Sequence, residues 1–285
     1  MIRSERARLG LAAVGLGLML VAPAAQAQDW NALDLGRDIS AVAVQWDSGA
    51  ALAVQCRSDG LFAMLRLVHP VPPSADVSSP TVPVTYDHGG RERRQSWMLN
   101  TDGGAAFAPT PERFARRLLA GGDLELLVEP GEGPRQRYPL SLPADPTPLA
   151  AVLRACDVPL EHPLDDPPQS VTMNVPVDGA TPDLPQLEWV RRPTGQDLAD
   201  EYPTRALERG QGGRAIISCL VRADGRLEDC QTISEYPRGA GFGRATIRVS
   251  ERGFQMGGAG GAPLPERAHG ARVEIPMTWN FTRVQ

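Results

Sequence analysis

The chain has 285 residues, 42% hydrophobic and 22% charged, which is ordinary for a folded protein and long enough for two domains. Its net charge is −5, and arginine supplies every basic residue. This charge argues against a nucleic-acid-binding protein, which needs a clustered excess of positive charge. The 27 prolines and 29 glycines favour strands and loops over a helical bundle.

The first 27 residues have the pattern of a secretory signal peptide. Arg3, Arg6 and Arg8 precede the apolar run Leu9–Ala22, and Ala25-Gln26-Ala27 forms a small-x-small cleavage site. A helix over this run would be about 21 Å long, too short for a hydrocarbon core of about 30 Å. We therefore predict export to the periplasm by a cleaved signal peptide. An uncleaved inner-membrane anchor is the alternative.

Residues 28–156 are predicted to form a mostly-β N-terminal domain with two helices. The predicted strands, short runs bounded by Gly, Pro, Asp or Ser, are Ala50–Cys56, Leu61–His69, Thr81–His88, Gln95–Leu99, Asp123–Glu129 and Arg137–Leu142. One helix is predicted at Pro111–Ala120, with Thr110 as its N-cap. The other, Pro146–Cys156, has apolar residues at helical spacing. No family resemblance is evident in this domain.

Residues 157–195 are predicted to be an acidic, proline-rich linker, because eight prolines interrupt any regular element. Thr172–Val177 could pair as a short edge strand. Asp165-Asp166, just before Pro167-Pro168, is interpreted as a solvated charged turn rather than a calcium site.

Residues 196–285 are predicted to form an α+β C-terminal domain. Its predicted elements in chain order are a helix at Asp197–Glu208, a hairpin of Arg214–Arg222 and Arg226–Ser234, a helix at Gly243–Arg252, a glycine-rich loop at Gly257–Gly261, and a strand at Ala271–Phe281. In the last strand apolar and largely polar residues alternate, so one face is predicted to be buried.

Four motifs follow one another in this region: Tyr202-Pro203-x-x-Ala206, Gly213 before the strand, Arg222-Ala223-Asp224-Gly225-Arg226-Leu227, and Val273-x-Ile275-x-Met277-x-Trp279-x-Phe281. In this order, the motifs resemble the C-terminal domain of TonB-type energy transducers of Gram-negative envelopes. The resemblance implies a three-stranded antiparallel sheet with two helices. It also implies a last strand that receives a short segment of a TonB-dependent outer-membrane receptor.

Strand addition at a free sheet edge takes its affinity from backbone hydrogen bonds. Pro276 lacks a donor, which fits an edge strand but interrupts the ladder that a partner would use. The predicted partner-binding residues are Arg272, Val273, Glu274, Ile275, Met277, Thr278 and Trp279.

The four cysteines are predicted to form disulfides, because the periplasm is oxidising. A two-residue Asp224-Gly225 turn places Cys219 opposite Cys230, and a three-residue turn with Gly225 as a bulge leaves them nearly opposite. This register predicts the pair Cys219–Cys230, with two buried thiols as the alternative. Cys56 and Cys156 then pair by elimination.

No motif predicts a catalytic residue, a cofactor or a metal site. The four histidines lack zinc-site spacing, and no serine lies in a nucleophile motif. The leading hypothesis is therefore a non-enzymatic, TonB-like periplasmic protein that binds a protein partner by strand addition. The alternatives are a structural or scaffolding envelope module without energy coupling, and an envelope enzyme or inhibitor with its site in the N-terminal domain.

Overall fold

A computed structural model describes residues 29–36, 39–72, 80–166, 170–171 and 187–281. The predicted signal peptide and the possible edge strand Thr172–Val177 lie outside these residues. Within them, no helix has both the length and the apolar character needed to cross a membrane.

The N-terminal domain is built on a nine-stranded antiparallel sheet with the order β1-β2-β3-β4-β7-β6-β5-β8-β9. Its strands are β1 (Asn31–Asp34), β2 (Ser40–Gln45), β3 (Ala51–Arg57), β4 (Gly60–Arg66), β5 (Thr81–His88), β6 (Arg91–Leu99), β7 (Ala105–Phe107), β8 (Gly122–Val128) and β9 (Gln136–Leu142). Its helices are α1 (Pro111–Leu118) and α2 (Thr147–Ala155). The prediction of a mostly-β domain with two helices is confirmed.

Alternating burial along the strands produces a single hydrophobic core in this domain. In β5, for example, Val82, Val84 and Tyr86 point inward. Helix α1 adds Phe114, whose ring lies edge-on to those of Tyr86 and Trp97, with centroids 5.3 and 5.0 Å away. The Thr110 side chain accepts a hydrogen bond from Gln95 and does not cap α1.

The C-terminal region contains a four-stranded sheet with the order β10-β15-β12-β13. The remaining elements are β10 (Ser170–Val171), β11 (Leu187–Arg191), α3 (Gly195–Asp200), α4 (Thr204–Glu208), β12 (Gly213–Val221), β13 (Leu227–Tyr236), α5 (Phe242–Gly253), β14 (Gln255–Gly258), β15 (Arg272–Trp279) and two short 3₁₀ helices, Ala259–Gly261 and Glu266–Ala268. Strands β12, β13 and β15 form the predicted three-stranded antiparallel sheet. The predicted α+β fold is confirmed.

In the C-terminal region, three details differ from the sequence prediction. The first predicted helix is split into α3 and α4, because Pro203 lacks a backbone N–H and disfavours helical geometry at Tyr202. Part of the glycine-rich loop forms β14, which pairs with β11. Strand β11 lies within the predicted linker, and its Leu187 is buried in the C-terminal core. The domain division at residues 157–195 stays a prediction.

The hairpin of β12 and β13 closes with a three-residue turn. Gly225 has a φ of +77°, and its N–H donates to the Arg222 carbonyl over 2.9 Å. A Cβ at this position would lie only 2.0 Å from the Met256 carbonyl oxygen, so glycine is required. Beyond the turn, the pairing of the two strands shifts register at Asp229, which has a φ of +46°.

The structure brings the cysteines together in two pairs, each within one domain. The Cα atoms lie 5.4 Å apart in Cys56 and Cys156, and 4.0 Å apart in Cys219 and Cys230. The first pair joins β3 to the end of α2, and the second joins the two strands of the hairpin.

Candidate functional site

The candidate site is the outer edge of β15. On its inner side β15 pairs antiparallel with β12 from Arg272 to Trp279. On its outer side it pairs in parallel with β10 at two residues, Arg272 and Val273. Within the described parts of the chain, the stretch from Glu274 to Trp279 therefore has no strand on its outer side.

One face of β15 belongs to the core. Val273 and Ile275 are buried in one hydrophobic cluster, and Trp279 is buried in a second cluster, against which Met277 partly packs. The indole N–H of Trp279 donates to Thr246 Oγ1 over 2.9 Å, and its ring contacts Tyr202 at 5.6 Å between centroids. These side chains stabilise the fold, so they are available to a partner only through their backbone groups.

The other face of β15 is largely engaged by ion pairs. Arg113 Nη1 lies 2.6 Å from Glu274 Oε1, and Arg93 Nη1 lies 3.6 Å from the same oxygen. Arg272 pairs with Asp229 and donates to the Ser218 carbonyl over 3.2 Å. In this strand only Pro276 and Thr278 are exposed. Of the predicted partner-binding residues on this face, Arg272 and Glu274 are therefore held by ion pairs, and Thr278 is open to solvent.

The N-terminal domain covers part of this sheet face. Tyr236 donates to Asp59 Oδ2 over 3.0 Å, and its ring meets that of Phe62 at 5.6 Å. The backbone N–H of Arg238 donates to the Asp59 carbonyl over 2.9 Å. Ser218, central on this face, is only 2% exposed. The two domains therefore pack together through a largely polar interface.

The Asp165-Asp166 turn is less solvated than the sequence predicted, because the Asp165 side chain is 16% exposed while that of Asp166 is 40% exposed. It lies against five arginines of the N-terminal domain, here called the arginine cluster: Arg91, Arg93, Arg113, Arg116 and Arg117. Arg116 binds both carboxylate oxygens of Asp165, over 2.6 and 2.7 Å. Arg117 and Arg91 bind Asp166. Because the arginines lie about 50–75 residues away in sequence, no local pattern could reveal these partners.

Three arginines of this cluster are largely buried, and the cluster keeps the Asp166 carboxylate ionised. The side chain of Arg113 is completely buried, and those of Arg116 and Arg117 are 6% and 8% exposed. Partial burial acts to raise the pKa of Asp166, but the nearby guanidinium groups of Arg117, Arg91 and Arg93 outweigh it. The pKa of Asp166 is thus held below its ordinary value, and the carboxylate stays ionised at neutral pH.

A buried carboxyl at the domain interface gives a pH prediction. Burial raises the pKa of Glu112, against hydrogen bonds from its own backbone and from Ser234. Its folded pKa exceeds its unfolded pKa of about 4.3, so its ionisation costs stability as the pH rises through the folded pKa. We expect Glu112→Gln to raise the melting temperature at pH 8 more than at pH 4.5.

Thermal melts at the two pH values check this expectation, with Glu92→Gln as the control. Glu92 is an exposed carboxylate of β6. An equal gain for Glu112→Gln at both pH values would show that ionisation of Glu112 does not affect the interface.

The geometry described so far defines a small α+β domain in which the outer side of β15 has no described strand over residues 274–279. Residues 199–281 match the family described as Gram-negative bacterial TonB protein C-terminal. The sequence resemblance to TonB-type C-terminal domains is therefore confirmed over these residues. A search among curated proteins found no match to the chain.

The family match supports a TonB-like envelope protein with a protein partner. Domains of this family are non-enzymatic, and this statement applies only to residues 199–281 of the chain. In the described residues, no group of three or more His, Cys, Asp or Glu side chains could hold a metal ion.

Proposed function

We propose that this periplasmic protein binds a partner by adding the partner's strand to the outer edge of β15. The proposed partner is a TonB-dependent outer-membrane receptor, so the protein acts in transport across the outer membrane. The observation that carries the proposal is the six-residue stretch Glu274–Trp279, which is paired with β12 and has no described strand on its other side. Unpaired N–H and C=O groups along a sheet edge template another strand.

The side chains of β15 suit recognition through the backbone. Its apolar residues already pack in the core, and Glu274 is held by Arg113. Direct side-chain contacts to a partner are thus left mainly to Pro276 and Thr278. Specificity would then depend on how the partner's own side chains pack against Pro276 and Thr278.

A scaffolding role is the second candidate, and the domain interface favours it. The contacts of Asp59 and Phe62 with Tyr236 show that the sheet face already has an occupant within the chain. In this role the C-terminal domain serves to dock the N-terminal domain and has no partner at the edge.

The substitution Thr278→Pro tests the edge directly. Proline within a sheet is tolerated where its missing N–H would face outward, so Pro276 and Thr278, two residues apart, are expected to direct their N–H positions to the free edge. We expect Thr278→Pro to weaken partner binding at least about tenfold, because it removes a donor and its ring crowds an added strand. The fold should survive.

The measurement uses synthetic peptides covering the N-terminal segments of the host's TonB-dependent receptors, with Thr278→Val as a matched control that keeps the N–H. Hydrogen exchange at residues 274–279 should slow when a peptide binds. Thermal melts establish that each variant is folded. If a folded Thr278→Pro variant binds as the wild type does, or if no peptide protects these amides, the scaffolding role gains support.

A further inference from the structure

One segment of the chain already lies on the proposed binding edge. Strand β10 pairs in parallel with the first residues of β15, with Ser170 opposite Arg272 and Val171 opposite Val273. The outer edge of β15 can therefore accept an added strand in parallel orientation, because its first two residues already pair with β10 in this way.

The arginine cluster fixes where this segment can go. Asp166, bound by Arg117 and Arg91, lies four residues before Ser170. A fully extended chain of four residues spans at most about 14 Å, so Ser170 cannot move far from the cluster while Asp166 is bound. The tether keeps the effective concentration of the segment at the edge high.

The same cluster also contacts the edge strand. Arg113 bonds to Glu274 of β15 and to the Leu164 carbonyl over 2.8 Å, and lies 3.7 Å from Asp165. Arg93 likewise reaches Glu274 and donates to the Asp165 carbonyl over 2.6 Å. Arg113 and Arg93 therefore each contact both strand β15 and the Leu164–Asp165 segment that precedes β10.

From this arrangement we infer that β10 is an internal competitor for the partner strand, held in place by Asp165 and Asp166. The inference rests on the proposed function and adds its regulation. The protein binds its partner weakly while Ser170–Val171 occupies the start of the edge, and more tightly when that segment is released. A two-residue ladder contains few hydrogen bonds, so a partner strand that pairs over more of β15 can displace it.

The experiment compares receptor-segment peptide binding to the full chain and to a double variant, Ser170→Pro with Val171→Pro. The two prolines remove both N–H groups of β10, whichever of them faces β15. The matched control is Ser170→Ala with Val171→Ala, which keeps both groups. If β10 occupies the edge about nine-tenths of the time, the Kd of the double-proline variant should fall about tenfold. The alanine control should bind as the wild type does.

A second variant tests the anchor. Asp166→Asn leaves the more buried Asp165 in place, and should lower the Kd by less than the double-proline variant does. Asp47→Asn, at an exposed carboxylate far from the cluster in sequence, should leave binding unchanged.

Hydrogen exchange in the free protein provides a readout that needs no partner. Release of β10 should speed exchange across residues 272–274. Faster exchange together with tighter binding supports the inference. Unchanged exchange, or a Kd within twofold of the wild type, overturns it and leaves strand addition standing. If no peptide binds a folded wild type or released variant, the proposed function fails, and the competition that depends on it fails as well.

Discussion

Replacing Trp279 by alanine is expected to lower the free energy of unfolding of the C-terminal domain by about 3–5 kcal/mol. Trp279 is 3% exposed, and its ring forms a three-ring cluster with those of Tyr202 and Phe242, whose centroids lie 5.6 and 6.1 Å away. Its removal would leave a cavity under α5 and would take away the donor that reaches Thr246. Because the domain is small, this loss is a large part of its stability.

Chemical denaturation followed by circular dichroism would measure the change. Trp279→Phe is the matched variant, since it keeps an aromatic ring in the cavity and removes only the N–H and part of the volume. We expect it to cost clearly less than Trp279→Ala. A loss below about 1 kcal/mol for the alanine variant would show that this end of β15 is not part of the core.

The second large effect is expected for the Cys56–Cys156 pair. This bond closes a loop with a sequence separation of 100 residues. In the chain-entropy model such a loop is worth about 4–5 kcal/mol, because the bond restricts the unfolded chain. The double variant Cys56→Ala with Cys156→Ala should therefore lose about that much stability in the N-terminal domain.

The hairpin pair provides the comparison. Cys219 and Cys230 are separated by 11 residues, so their removal should cost less, about 3 kcal/mol on the same model. Non-reducing peptide mapping of the purified wild type should first show both bonds. A link from Cys56 to either hairpin cysteine would contradict the pairing and the domain division together.

The sequence predicted those features that depend on local patterns. Alternating apolar residues located β5 to the residue, at Thr81–His88, and the Asp224-Gly225 signal located the hairpin. Strands β1, β7 and β14, which lack such alternation, were missed, and so was β2 (Ser40–Gln45), although its Val42 and Val44 are both buried. The side chains of β1 are all exposed, β7 has three residues, and β14 consists largely of glycine next to Gln255 and Met256.

The surroundings of the candidate site could not be predicted in the same way. In the sequence, polar residues such as Glu274 and Ser218 alternate with apolar residues in the same way, whether their side of the sheet faces water or packs against another domain. Likewise, an acidic turn between prolines has the composition of solvated chain. Only the fold brings Arg113 and Arg116 to Glu274 and Asp165, across 161 and 49 residues of sequence.

The bond between Arg113 and Glu274 has a mechanical consequence. Strand β15 is attached to β12 along eight residue pairs, and at Glu274, near its start, it is also tied to helix α1. A pulling force applied through a strand docked on β15 would therefore be shared between the two domains at that point. The proline-rich segment between them would carry only part of the tension.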